Sequence, residues 1–261
     1  MTTENIRTKL AAGNAVFGLF TPYSNSMQAG LLARSGFDFL VLDAEHGEIE
    51  PADMSALTMA CEAQNCAPIV RVPSTDSRVV GRYLDFGATG IVAPMVNSKA
   101  DGEALLSAAL YAPDGIRGLA QTRNLDFGLG GDIPARMTKS NAETLTIAQI
   151  ETRDAIDNLD EILSLDRLDI LFVGPADLSA SLGVPMQFTH PDFLTAMMTI
   201  AHKVKASGKH LGVLISQPEQ IQTLHALGFR VFAGYLDLVI ADACRNFVSG
   251  CQSVVESKKS E

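Results

Sequence analysis

The alternation of strand and helix signals predicts an α/β fold, a (β/α)8 TIM barrel, with residues 1–261 as a single domain. Eight short apolar, β-branched runs are each followed by a longer amphipathic stretch, and 261 residues suit eight such units. The rival, a doubly wound open sheet, favours a Gly-rich nucleotide loop after its first strand. Here that strand ends Gly18-Leu19-Phe20-Thr21-Pro22, without one.

Residues 15–20 (AVFGLF) form the first expected strand, and 27–35 the first helix, closed by Gly36 as a left-handed C-cap. The run 37–43 (FDFLVLD) is the second strand and 52–64 its helix. Strand 68–72 (PIVRV) precedes helix 78–86, which stops at Gly87. Strand 90–93 (GIVA) leads to helix 100–111, strand 145–150 (LTIAQI) to helix 153–165, and 169–173 (DILFV) is the sixth strand. A helix over 191–207 ends at Gly208, and strand 210–215 precedes helix 219–227, which ends at Gly228. Strand 230–233 and helix 238–248 complete the set. Two stretches exceed a bare barrel. One is the Gly-rich connection 115–131 (GIRGLAQTRNLDFGLGG), expected to join the barrel near its mouth; the other is 174–184 (GPADLSASLGV). Long connections in compact domains are commonly binding loops or lids.

Composition narrows the function classes. Hydrophobic residues at 47% and charged residues at 19% exclude disorder. A formal charge of −10 disfavours nucleic acid, whose phosphates an acidic surface repels. No signal-peptide core or bilayer-length apolar run is present, and the four cysteines lack both zinc spacing and disulfide density. The expectation is a soluble cytoplasmic protein with mostly buried thiols and no membrane partner.

Barrel chemistry is placed at the C-terminal ends of the strands. There the second strand ends in Asp43-Ala44-Glu45-His46-Gly47, the third carries Arg71, the fifth ends Gln149-Ile150-Glu151, and the sixth leads into Gly174-Pro175-Ala176-Asp177. Glu151 and Asp177 follow adjacent strands; two carboxylates without Cys or His suit a hard divalent ion, although both also suit helix N-termini. His46 is an acid/base candidate if Asp85 orients it, and otherwise an ordinary loop histidine. Arg71 is placed to stabilise a developing enolate or carboxylate, or to form a structural ion pair. Arg123, flanked by Thr122 and Asn124 in the long loop, is either a reader of a distal anionic group or a surface charge.

These motifs, Asp43-x-Glu45-His46, Val70-Arg71-Val72, Leu84-Asp85-x-Gly87, Gly115-Ile116-Arg117-Gly118, Gln149-Ile150-Glu151-Thr152 and Gly174-Pro175-Ala176-Asp177-Leu178-Ser179, jointly resemble the HpcH/HpaI family of metal-dependent pyruvate aldolases. The resemblance implies a class II aldolase that cleaves or forms 4-hydroxy-2-oxo acids, with pyruvate and an aldehyde as its small-molecule partners. It implies Glu151 and Asp177 as ligands of a divalent ion (Mg2+, Mn2+ or Co2+), and Arg71 at the pyruvyl carbonyl oxygen. His46 and Asp85 become the acid/base dyad, the amides around Ala176 and Asp177 bind the carboxylate, and Gln149 lines the pocket. A homo-oligomer, a hexamer with exchanged terminal helices, is implied as well. Ala44 and Ala112 stand where many relatives have Gly and Pro, and 119–131 departs from the best-known members. No lysine stands in the strand-end motifs, which disfavours Schiff-base chemistry. The alternatives are a citrate synthase-like or CoA-ester lyase enzyme of the same superfamily, and a non-catalytic barrel that binds a 2-oxo acid.

Overall fold

The computed structural model describes residues 2–129 and 131–257. Eight parallel strands close a barrel in chain order, as the alternation predicts. They are β1 (Val16–Thr21), β2 (Phe39–Asp43), β3 (Ala67–Arg71), β4 (Gly90–Ala93), β5 (Leu145–Ile150), β6 (Ile170–Val173), β7 (His210–Leu214) and β8 (Val231–Tyr235). Closure runs through β1 and β8, in register from Val16↔Val231 to Phe20↔Tyr235.

Side chains alternate between the barrel axis and the helix layer, so both faces are buried and the strands read as nearly continuous apolar runs. Phe39 and Val41 of β2, Ile69 of β3, Ile147 of β5 and Phe172 of β6 belong to the interior cluster. Their neighbours Leu40, Leu42, Val70, Ala148 and Leu171 pack in the outer one. Large and small residues interlock inside. The Phe39 ring occupies the place of a side chain at Gly18, and a Cβ on Gly212 would lie 2.6 Å from the Phe172 ring.

The first helix, α1 (Thr2–Ala11), has no counterpart among the predicted elements. It covers the N-terminal ends of the strands, the barrel floor, by inserting Ile6 and Leu10 into the interior cluster. Arg7 fixes it with a 2.5 Å bond to Asp169 and a 3.0 Å bond to the Thr144 carbonyl. Only two of its apolar residues reach the core, so its sequence shows little periodicity.

The outer layer follows as α2 (Ser26–Arg34), α3 (Met54–Glu62), α4 (Ser77–Asp85), α5 (Lys99–Ala109), α6 (Ile133–Glu143), α7 (Arg153–Asp157) and α8 (Leu159–Leu163). It continues with α9 (Pro175–Ser181), α10 (Pro191–Ser207), α11 (Gln220–Ala226) and α12 (Leu236–Ser257). Side-chain caps start several of them: Asn25, Asp76, Ser98 and Thr152 each accept a backbone N–H of the following turn. The single helix expected over 153–165 is two short ones meeting at Asn158, whose amide donates to the Asn97 carbonyl at 2.9 Å. Helix α12 runs well past its predicted end. Cys61 and Cys66 are buried as expected, whereas Cys244 and Cys251 are exposed on α12. Among the described residues, no helix is long and apolar enough to cross a membrane.

The long connection lies elsewhere than expected. Barrel helices run back from the mouth, so a helix-to-strand link lies on the floor side. Residues 115–131, of which Gly130 lies outside the described residues, connect α5 to α6 and then to β5, away from the mouth.

Candidate active site

Strand alternation carries the interior positions upward into polar residues. On β2 the series Phe39, Val41 ends in Asp43, and on β3 the series Ala67, Ile69 ends in Arg71; Asp43 and Arg71 are register partners. The two buried groups form a fork: Arg71 Nε donates to Asp43 Oδ1 at 2.9 Å and Nη2 to Oδ2 at 2.5 Å. Burial alone would raise the Asp43 pKa, but Arg71 and two backbone amides outweigh it and hold the carboxyl below its usual range. Those amides, of Glu45 and His46, donate to Asp43 Oδ1 at 3.1 and 3.2 Å, which folds the strand exit back on itself. Gly47 completes this turn, since a Cβ there would lie 2.6 Å from the Pro22 carbonyl oxygen. Glu45 Oε2 is then 3.3 Å from Arg71 Nε and 3.8 Å from His46 Nε2. The His46 side chain is 63% exposed at the rim.

On β5 the interior series Leu145, Ile147 continues to Gln149 and Glu151. Glu151 is 2% exposed. Its Oε1 accepts the Met95 N–H at 2.7 Å, and its Oε2 accepts from the Gln149 side-chain amide. Burial raises the Glu151 pKa; these two donors oppose the rise, and the charges of Asp177 and Glu45 add to it. Gly174, at the end of β6, makes the arrangement possible. A Cβ there would collide with Glu151 Oε2 and lie 2.9 Å from Gln149 Nε2. Asp177 is exposed in the first turn of α9, beside Ala176.

This donor set fits a hard divalent cation. Two carboxylates from neighbouring strand ends repel each other, and an ion between them relieves that repulsion. Gln149 Oε1 is buried without a hydrogen-bond partner among the described residues, an open acceptor beside Glu151. Among the described residues no group of three or more His, Cys, Asp or Glu is gathered tightly enough to hold an ion. Glu151 and Asp177 would therefore share it with water and substrate oxygens.

Two predicted site residues lie away from the mouth of their own barrel. Asp85 ends α4 on the floor side, where its Oδ1 accepts from the buried Arg117 at 2.7 Å. Within the protomer it does not reach His46, which stands at the mouth. Arg123 donates to Thr58 Oγ1 at 2.6 Å and pairs with Glu62, both on α3. It anchors the long loop to the outer layer and reads nothing at the mouth of its own barrel.

The sequence model of the HpcH/HpaI aldolase/citrate lyase family matches residues 16–241. The chain belongs to this family. It is 32% identical over 237 residues to a hydroxypyruvate/pyruvate aldolase of Roseobacter denitrificans, covering 91% of this chain and 92% of that protein. A 5-keto-4-deoxy-D-glucarate aldolase of Shigella boydii is 33% identical over 211 residues, 81% of each chain. The crystal structure of citrate synthase SbnG superposes with a TM-score of 0.83 at 30% identity, over 98% of this chain and 99% of that one. Membership makes the chain a carbon–carbon lyase.

Within this HpcH/HpaI barrel the structure adds residues that motif reading overlooks. Asp43 and Glu45, quoted in the second strand's motif without a role, gain one once Arg71 is seen between them. Tyr235 closes the interior series Val231, Ala233 on β8; its ring lies 6.4 Å from Phe20 at 17°, and its hydroxyl is 3.5 Å from Asp43 Oδ2. The Arg71 guanidinium lies 5.1 Å from the centre of the same Phe20 ring. Counting in twos from the apolar interior residues of each strand would have found Tyr235. Met95 is different: it serves Glu151 through its backbone, which no side-chain pattern announces.

Proposed function

We propose that this chain is a metal-dependent class II aldolase that cleaves or forms 4-hydroxy-2-oxo acids, giving pyruvate or a related 2-oxo acid and an aldehyde. The observation that carries the reading is the buried Glu151, held by Met95 and Gln149 beneath Gly174 and under the field of Asp177. A divalent ion held by Glu151 and Asp177 would supply Lewis-acid charge to the 2-oxo acid. Arg71, locked by Asp43, presents fixed positive charge at the oxygen that gains charge as the C3–C4 bond breaks. A well-placed donor of this kind contributes about 3–4 kcal/mol. The first-turn amides of Ala176 and Asp177 lack intrahelical acceptors and receive the carboxylate. His46, exposed at the rim beside Glu45, moves the proton at the C4 hydroxyl. Asp85 reaches a mouth only if a second copy supplies it.

A homo-oligomer fits the surface of α12, where Phe247 is 75%, Val248 53% and Val255 60% exposed. The hexameric state and the exchange of terminal helices are expectations that sedimentation and a structure of the assembly would check. The citrate synthase-like reading keeps a place because SbnG shares the fold over nearly the whole chain.

The test is pyruvate release from a panel of 4-hydroxy-2-oxo acids, with and without added divalent ion. Release should require the ion, and Glu151→Gln and Asp177→Asn should each abolish it with the fold intact. Full activity after exhaustive chelation would refute the metal reading. Condensation of oxaloacetate with an acyl donor, or release of acetyl-CoA, would favour the alternatives; ligand binding without turnover would favour a non-catalytic barrel.

A further inference from the structure

Arg123 lies on the far side of its own barrel, so within the protomer the acceptor half of the substrate meets other residues. In the proposed reaction the 2-oxo acid half occupies the sector of β3, β5 and β6, between Arg71 and Glu151. Asp43 and Arg71 are committed to each other, and Glu151 to Met95 and Gln149. The remaining sector is β7, β8 and β1, whose last interior residues are Leu214, Tyr235 and Phe20. Two of these are hydrocarbon. The phenol of Tyr235 is the polar group.

Three features make that hydroxyl fit to bind a ligand. Its ring is fixed, because Tyr235 is the register partner of Phe20 and lies nearly parallel to it. Its bond to Asp43 Oδ2 is at the outer limit for a hydrogen bond, 3.5 Å, and that oxygen already accepts from Arg71 at 2.5 Å. The phenol is therefore free to turn to a better acceptor. Burial and the Asp43 charge also raise its pKa, so it remains a donor throughout the neutral range.

We infer that Tyr235 is a specificity-determining residue whose hydroxyl hydrogen-bonds an oxygen substituent on the acceptor aldehyde, so that the site prefers short hydroxylated aldehydes over their deoxy counterparts. This rests on the proposed aldolase reading. It differs from a supporting role for the Asp43–Arg71 fork, which would affect every acceptor alike.

The experiment compares wild type with Tyr235→Phe, using pyruvate as donor and either glycolaldehyde or acetaldehyde as acceptor. Removing one neutral hydrogen bond should lower the glycolaldehyde-to-acetaldehyde ratio of kcat/KM by roughly three- to tenfold. An unchanged ratio overturns the assignment, whether both acceptors lose activity equally or neither does. Exchange of the pyruvate methyl protons with deuterium by wild type, with divalent ion present, tests the reaction separately. Exchange with an unchanged ratio defeats only the role of Tyr235; absence of both exchange and aldol turnover defeats the aldolase reading itself.

Discussion

The fork between Arg71 and Asp43 stands on top of an interior otherwise filled by hydrocarbon, with Phe20 beneath the guanidinium. Removing one partner of a buried pair strands the other charge, a loss of about 3–5 kcal/mol. Asp43→Ala should therefore lower the urea midpoint substantially and weaken retro-aldol activity through Arg71. The pH dependence has a definite sign. The folded-state pKa of Asp43 is depressed, so its contribution is fully present above the unfolded value near 3.9 and is lost as pH falls through the folded one. The stability gap between wild type and Asp43→Ala should accordingly narrow in acid, as pH-resolved denaturation would show. Met95 offers a contrasting case. Its φ of 52° is left-handed, a conformation that favours glycine, and that conformation delivers its N–H to Glu151. Met95→Gly keeps the N–H and relieves the side-chain strain, so it should retain metal-dependent activity and gain about 1 kcal/mol in stability. A loss of metal affinity measured by calorimetry would show that the side chain itself supports the site.

The connection from α5 to β5 shows where reading a sequence stops and chain direction takes over. Its glycines and polar trio resemble a binding loop, yet its place between a helix end and a strand start commits it to the floor side. Arg123→Ala should cost about 1 kcal/mol, discounted for the partial exposure of the Arg123–Glu62 pair, and leave the ratio between charged and neutral acceptors unchanged. Denaturation curves and an acceptor panel check the two halves of that statement. The strands were legible because burial on both faces makes them apolar throughout; the predicted bounds of β4 and β5 agree with those observed, 90–93 and 145–150. Glu151, Asp177 and Arg71 were legible because charge at the end of an apolar run is conspicuous. Helix α6 was missed because its buried positions, Ser140 and Asn141, are polar: Asn141 accepts the Tyr111 N–H at 2.8 Å and donates to the Tyr111 carbonyl at 2.9 Å. No apolar periodicity accompanies such a contact. The separation of Asp85 from His46 within one barrel was legible in chain order and was passed over: Asp85 ends a helix, which runs back to the floor, whereas His46 follows a strand, which ends at the mouth.

Across the molecule, polar function is confined to one end and apolar surface to the periphery. Phe247→Glu on α12 should leave the protomer folded, because that residue is already exposed, and should shift the mass observed by sedimentation toward smaller species if this face joins copies. An unchanged mass would move the search for the interface to α2, where Met27 is 84% and Leu31 67% exposed.

The sealing of the floor by Ile6 and Leu10 has a kinetic meaning. The interior below the site is solid with side chains down to that floor, so whatever enters must leave by the rim it came through. Glu151 is almost wholly enclosed, and His46 stands at the edge. The 2-oxo acid is thus the inner guest and the aldehyde the outer one, and neither can pass the other. Turnover should follow a compulsory order: in cleavage the aldehyde departs first and pyruvate last. Product-inhibition patterns would register this as pyruvate competing with the intact substrate for the empty enzyme, while the aldehyde does not.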